Sequence, residues 1–155
     1  GGAEFQLPGR TCHEPRFGTA DGRARFRPTE LPSFRVAAGE LRLMTVRSEG
    51  QFNTVVYEDA DLYRGNDRRD VVMMAAADAS ARGVGEGDRV RIDTAAGTMA
   101  ASVAIVDIRP GNIAMYYPEA NILVPRVLDE RSHTPAFKSV AARVTVAQPP
   151  GEDVT

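Results

Sequence analysis

The chain has 155 residues, of which 43% are hydrophobic and 26% charged, with 19 basic against 21 acidic side chains and a formal net charge of −2. That length fits one compact domain with a real core, and the near-neutral balance argues against a general nucleic-acid binder, which carries a basic excess. One cysteine excludes an intrachain disulfide, and Cys12, His13 and the distant His133 supply too few ligands for a structural zinc site. No apolar run approaches a membrane span and no signal-peptide core opens the chain, so a cytoplasmic protein with no membrane partner is expected.

Residues 1–39 are rich in Gly, Pro and Arg and read as an irregular lead-in. It holds a short hairpin, with Asp21-Gly22 as the turn between Phe17–Thr19 and Ala24–Phe26. Arg23, Arg25 and Arg27 alternate with Ala24 and Phe26, as on the solvent face of a strand. The core begins near Glu40 and runs to residue 147, with 148–155 as a tail.

Leu41–Val46 reads as a buried strand that empties into a polar loop, Arg47-Ser48-Glu49-Gly50-Gln51-Phe52-Asn53-Thr54. A glycine there permits close backbone approach, free N–H groups can point at an anion, and Arg47 adds a fork of donors matched to phosphate. The same residues also suit a polar hairpin loop whose amides cap their own backbone. Glu58 to Asp70 is charge-rich and reads as a surface loop with a helical turn at Asp59–Tyr63. Val71–Met74 is a short buried strand, and Ala75–Arg82 an alanine-rich helix ending at Gly83, with Val84 packing back on it.

Arg89–Thr94 alternates as a half-buried strand, Ala95-Ala96-Gly97 turns the chain, and Thr98–Asp107 returns with Met99, Ala101, Val103 and Ile105 on one side. A turn at Arg109–Asn112 leads to a strand at Ile113–Tyr117. Pro118–Pro135 reads as a long loop, and Ser139–Val146 as a last strand with Val140, Ala142, Val144 and Val146 on one face. About six strands and one clear helix, without strand–helix alternation, exclude a doubly wound parallel sheet. They point to a mostly β fold with one or more short helices, a barrel or sandwich; a closed barrel is attractive because it leaves no exposed edge.

Several motifs carry less than they promise. Gly83-Val84-Gly85-Glu86-Gly87 follows a helix and precedes a strand, the reverse of a dinucleotide fingerprint. No Gly-x-Ser-x-Gly elbow supports a hydrolytic triad, and the carboxylate pairs Asp59/Asp61 and Asp129/Glu130 sit in charged, solvated stretches. Tyr116-Tyr117-Pro118-Glu119-Ala120-Asn121 holds more. Its tyrosines can stack on a heterocycle and Glu119 or Asn121 can bond amino or imino groups, or the aromatics can simply close the barrel end. Lys138 is a single cation before the last strand.

Taken together, the chain resembles the C-terminal dinucleotide-cofactor-binding domain of the molybdopterin oxidoreductases, over about residues 17–146. Four blocks carry the resemblance: Phe17–Phe26, Leu43–Thr54, Ala77–Val90, and Arg109–Lys138 with Thr134-Pro135-Ala136-Phe137-Lys138 at its end. The wording of the Arg47–Thr54 and Tyr116–Asn121 stretches is similar to that of formate dehydrogenase-like enzymes. The resemblance implies a double-psi β-barrel that binds molybdopterin guanine dinucleotide, with Mo-bis-MGD in the full-length enzyme and any 4Fe-4S cluster in other domains. By position it assigns cofactor contacts to Arg47, Ser48, Gln51, Asn53, Thr54, Tyr117, Glu119, Asn121 and Lys138. It implies no metal ligand and no catalytic residue in this chain, because those belong to upstream catalytic domains, its partners. The isolated chain is then not expected to be active. Two rivals stand beside this reading: a double-psi barrel used as a protein-interaction module, which needs an apolar groove, and a self-contained barrel enzyme, which needs an activated nucleophile or acid–base pair.

Overall fold

The computed structural model describes residues 2, 5, 16–30, 36–48, 51, 58–130 and 132–147. The chain divides into two compact units, Gly1–Ser33 and Phe34–Thr155. In the first, the Asp21-Gly22 turn forms: Gly22 N donates to Thr19 O at 3.0 Å, and Gly22 takes a φ of 65°. Arg25 pairs with Asp21 at 3.3 Å. No paired strands flank this turn among the described residues 16–30.

The second unit is a six-stranded barrel. Its elements are β1 (Leu41–Val46), β2 (Val71–Met74), α1 (Ala76–Ser80), β3 (Arg89–Asp93), β4 (Thr98–Ile105), β5 (Asn112–Tyr116), a 3-10 helix (Glu119–Leu123) and β6 (Val140–Val146). The strands close in the order β1-β5-β2-β4-β3-β6. Two neighbouring pairs run parallel, β1 with β5 and β2 with β4, and the other four ladders are antiparallel. This is the double-psi β-barrel expected.

The alternation of side chains explains the interior. Leu41, Leu43, Val72, Met74, Val90, Ile92, Ala101, Val103, Ile113, Met115, Val140, Ala142 and Val144 share one buried cluster, as a period of two requires when one face of each strand is turned inward. β2 and β5 are buried on both faces. Val71, Met73, Ala114 and Tyr116 form a second cluster with Ala104, against which Met44, Val46, Val106 and Ile108 pack. Continuous apolar runs such as Val71–Met74 are the signature of strands covered on both sides.

α1 is shorter than expected. Ala81 is its C-cap, and the chain leaves through Gly83, whose φ of 68° suits a residue without Cβ. Val84 N donates to Ala79 O at 3.1 Å and Val84 is buried, so the glycine cluster is a helix exit, as its order in the chain required. Asp78 ties α1 to the turn before β5 by accepting from Gly111 N at 2.7 Å.

Three expectations need correction. Pro118–Pro135 is not all loop: the 3-10 helix buries Ala120 and Leu123, with Val124 beside them, in the barrel cluster. Residues 59–63 form no helical turn. The chain instead folds back through a bridge, with Asp61 and Asn66 exchanging backbone hydrogen bonds of 2.7 and 3.2 Å. Val146 is 59% exposed at the end of β6, where the barrel no longer covers it.

The 3-10 helix is seated by the β3–β4 turn. Thr94 Oγ1 donates to Leu123 O at 2.9 Å, and a Cβ on Gly97 would lie 2.7 Å from Ile122 O. Gly97→Ala must therefore displace backbone. It is expected to cost about 1–3 kcal/mol, the usual range for overpacking, read as a lower urea midpoint at unchanged slope; a wild-type midpoint would show that the turn and the helix are not in firm contact.

Candidate functional site

β1 and β5 run parallel with Val46 opposite Tyr116, so both strands deliver their following segments to the same rim of the barrel. Tyr117 N donates to Val46 O at 2.8 Å and prolongs that ladder by one bond. β6 runs antiparallel to β1, which brings the residues before it to the same rim; Thr45 N donates to Phe137 O at 2.9 Å. A cleft of about 380 Å³ opens there, lined by Thr45, Val46, Arg47, Tyr117, Phe137 and Lys138.

Three of the expected site residues, Arg47, Tyr117 and Lys138, thus meet although 70 and 91 positions separate Arg47 from the other two. The Arg47 guanidinium lies 5.4 Å from the centroid of the Tyr117 ring, within the range of a cation–π contact. Lys138 Nζ donates to Thr45 O. An ammonium carries three donors, so that bond positions the cation without exhausting it.

Three more of the expected residues lie behind the cleft. Ser48, Gln51 and Glu119 gather around Arg69, a buried arginine that the sequence reading passed over as part of a surface loop. Arg69 Nε donates to Glu119 Oε1 at 2.6 Å and Nη2 to Glu119 Oε2 at 3.2 Å, the side-on geometry of a bidentate pair. Nη1 donates to Ser48 Oγ at 3.0 Å and to Glu58 O at 3.3 Å, while Nη2 also reaches Tyr117 O at 2.6 Å. Glu119 is thereby committed to Arg69. Gln51 Oε1 accepts from Ser48 N at 3.3 Å and from Arg69 Nη2 at 3.5 Å. Gln51 Nε2 is buried with no hydrogen-bond partner among the described residues, and Gln51 is 3% exposed.

Asn121 is placed differently. It sits exposed in the 3-10 helix and is not among the residues that line the cleft. Asn53 and Thr54 lie outside the described residues.

A second buried polar group braces the rim. Tyr116 turns away from the barrel interior; its hydroxyl donates to Asp61 Oδ2 at 2.9 Å and accepts from Asn66 Nδ2 at 2.9 Å. Asp61 is 3% exposed and also accepts from Arg64 Nη1 at 2.5 Å, and the same Arg64 nitrogen donates to Arg47 O at 3.2 Å. Burial alone would raise the Asp61 pKa, but the hydrogen bonds from Arg64 and Tyr116 and the Arg64 charge outweigh it, so the carboxyl titrates below the ordinary value of 3.8. The Tyr116 phenol is pushed above its ordinary value of 10.0, first by burial and then by the Asp61 carboxylate, against an opposing effect of the Asn66 donor. The only sequence signals for Arg69 and Asp61 were a charge set directly before a buried strand and a carboxylate beside a turn.

Among the described residues no group of three or more His, Cys, Asp or Glu side chains could hold a metal ion, and no helix is long and apolar enough to cross a membrane.

A depressed aspartate stabilises the fold while it is ionised. That contribution is present above about pH 3.8 and is lost as pH falls through the lower folded value. Asp61→Asn is expected to lower stability at pH 7 by about 1–3 kcal/mol and to flatten the acid limb below pH 4. Urea unfolding at pH 7, 5, 4 and 3 checks this; parallel acid limbs for the two proteins would refute it.

Comparison with known proteins extends this geometry. The family model described as "Molydopterin dinucleotide binding domain" matches residues 41–141, from the first residue of β1 into β6. An uncharacterized oxidoreductase of Mycobacterium tuberculosis is 37% identical over 158 aligned residues, covering 90% of this chain and 20% of that protein. Protein YdeP of Escherichia coli is 33% identical over 141 residues, covering 82% of this chain and 18% of that protein. The chain therefore spans about a fifth of the length of these relatives. Among solved structures, acetylene hydratase from Pelobacter acetylenicus shares the fold with a TM-score of 0.53 at 15% identity, over 69% of this chain and 18% of that one.

Proposed function

Because the chain belongs to the molydopterin dinucleotide binding domain family, we propose that it holds a molybdopterin dinucleotide in the cleft between the ends of β1 and β5, as one part of a larger oxidoreductase. The observation that carries this is the meeting of Arg47, Tyr117 and Lys138 at one rim, inside the matched residues.

The residues present suit the group. A dinucleotide carries phosphates, and the cleft offers a guanidinium fork and an ammonium. It also carries flat heterocycles, and the Tyr117 ring offers an apolar face of matching shape. The buried Gln51 Nε2, without a partner among the described residues, is a donor that an acceptor would complete. When bound, the cofactor supplies the metal and the redox chemistry. This chain supplies charge neutralisation, orientation and a dry wall. Arg47 and Lys138 bind anionic oxygen, Tyr117 holds a ring plane, and the interior behind Val46 and Phe137 excludes water.

The finer reading is a guanine dinucleotide, held as Mo-bis-MGD in a formate dehydrogenase-like enzyme. Four fifths of each relative lies beyond the matched part. In our reading the metal ligand, any 4Fe-4S cluster and the substrate pocket belong to that remainder, the partner of this domain, and this chain has no activity by itself.

Titration of the 155-residue chain with GDP, followed by amide chemical shifts, tests the site. Shifts are expected at Arg47, Tyr117 and Lys138, with affinity falling as salt is raised. Arg47→Ala should weaken binding by about 1.5–3 kcal/mol, roughly ten- to a hundred-fold, if it bonds a charged phosphate. An absence of shifts at millimolar GDP, or an unchanged Kd in the variant, would overturn the assignment.

A further inference from the structure

We propose that Arg69 is the positioning residue of the cleft: its guanidinium locks the segment leaving β1 to the segment leaving β5, and so sets the disposition of Arg47 relative to Tyr117. No similarity found for this chain assigns a role to Arg69.

The placement follows from the ladder. β2 pairs antiparallel with β5, Val72 opposite Met115, so the residues just before β2 run alongside those just after β5. Arg69, two residues before β2, is thereby set beside Tyr117 and Glu119. Its contacts cover both segments. From the β1 side it holds Ser48 Oγ at 3.0 Å and Gln51 Oε1 at 3.5 Å. From the β5 side it holds the carbonyl of Tyr117 at 2.6 Å and both Glu119 oxygens. Its flat face lies 4.9 Å from the centroid of the Tyr116 ring. The two residues whose backbone or neighbours it grips, Ser48 and Tyr117, directly follow Arg47 and carry the cleft's aromatic ring.

Only a guanidinium can do this. Its five donors point along fixed directions in one plane, whereas an ammonium is a compact point charge. The donors here are divided among two carboxylate oxygens, two backbone carbonyls, a hydroxyl and an amide oxygen. Glu119 has its place in the same logic. With its carboxylate occupied by Arg69, it acts as the counter-charge that lets an arginine stay 7% exposed, and is not a reader of the ligand. Gln51 fits as well: its oxygen is held while its own donor finds no partner among the described residues, so the groups that grip the oxygen help to set its orientation.

The affinity part of this inference rests on the proposed cofactor site; the tie between the segments does not. The 155-residue chain is compared with Arg69→Met, Arg69→Lys and Glu119→Gln by amide hydrogen exchange, thermal melts and GDP titration. In Arg69→Met the amides of Ser48 and Gln51, whose bonds run through each other and through Gln51 Oε1, should exchange at least ten-fold faster. Protection of Val90, Ile92 and Ala101 in the β3–β4 ladder should stay unchanged, and the Kd for GDP should rise at least ten-fold. Arg69→Lys should behave like Arg69→Met in both readouts, and Glu119→Gln should fall between. Should Arg69→Met melt the barrel, Arg69→Lys carries the comparison. Unchanged exchange at Ser48 and Gln51, or wild-type GDP affinity in Arg69→Lys, would overturn the proposal; so would faster exchange with unchanged affinity, which would leave Arg69 a structural tie alone. If the wild-type chain does not bind GDP, the cofactor reading falls and the exchange comparison decides the tie by itself.

Discussion

The parallel pairing of β1 with β5 is the constraint from which the rest follows. Parallel neighbours cannot be joined by a tight turn, so the chain between them must travel around the barrel before it returns. Here it builds β2, α1, β3 and β4 on the way. The result is that two segments far apart in sequence leave the barrel side by side and in the same direction. β6, antiparallel to β1, adds its leading residues to that rim. A cleft that joins two cations and an aromatic ring from three distant segments is a consequence of strand direction before it is a consequence of any one side chain.

The rim carries two buried charges, Asp61 and Arg69, each paired with a more exposed partner. Arg69 with Glu119, and Asp61 with Arg64 and Tyr116, lie on the outward side of β2 and β5, next to the second apolar cluster. Buried ion pairs are weak sources of net stability, because desolvation offsets much of the attraction. What they do supply is geometry: each demands defined partners, and each has them here. Apolar packing would hold the same segments together with less control over their register. The two networks also meet, since Arg64 holds the carbonyl of Arg47 while Arg69 holds Ser48, the next residue. The exit of β1 is therefore gripped at two consecutive positions by side chains 17 and 21 residues downstream.

The division between what could and could not be read in the amino-acid order is a division between local and non-local physics. Strict alternation in Arg89–Asp93 and Val140–Val144, the apolar run Val71–Met74 and the glycine exit of α1 are local patterns, and each became the element expected. The 3-10 helix at Glu119–Leu123 had no such pattern: its burial comes from the β3–β4 turn, where Gly97 and Thr94 seat it. Asp61 and Arg69 misled for the same reason. A charged residue in a charge-rich stretch is ordinarily solvated, and nothing in that stretch announces the distant partners, Glu119 for Arg69 and Tyr116 for Asp61, that help to make burial tolerable.

The order of residues alone settled the class of fold, the family resemblance and the chemical character of the two rim segments, because periodicity and residue type are properties of short stretches. It named Arg47, Tyr117 and Lys138 on those segments, and the folded chain brings these three to one cleft. Which of the nine expected residues face the cleft was left to the folded chain. Arg47, Tyr117 and Lys138 do; Ser48, Gln51 and Glu119 turn to Arg69; Asn121, on the 3-10 helix, is not among the lining residues. The physical reason is pairing across the barrel. A polar side chain faces a ligand or a neighbour according to which buried charge lies within reach, and that is fixed by strand register, not by sequence distance.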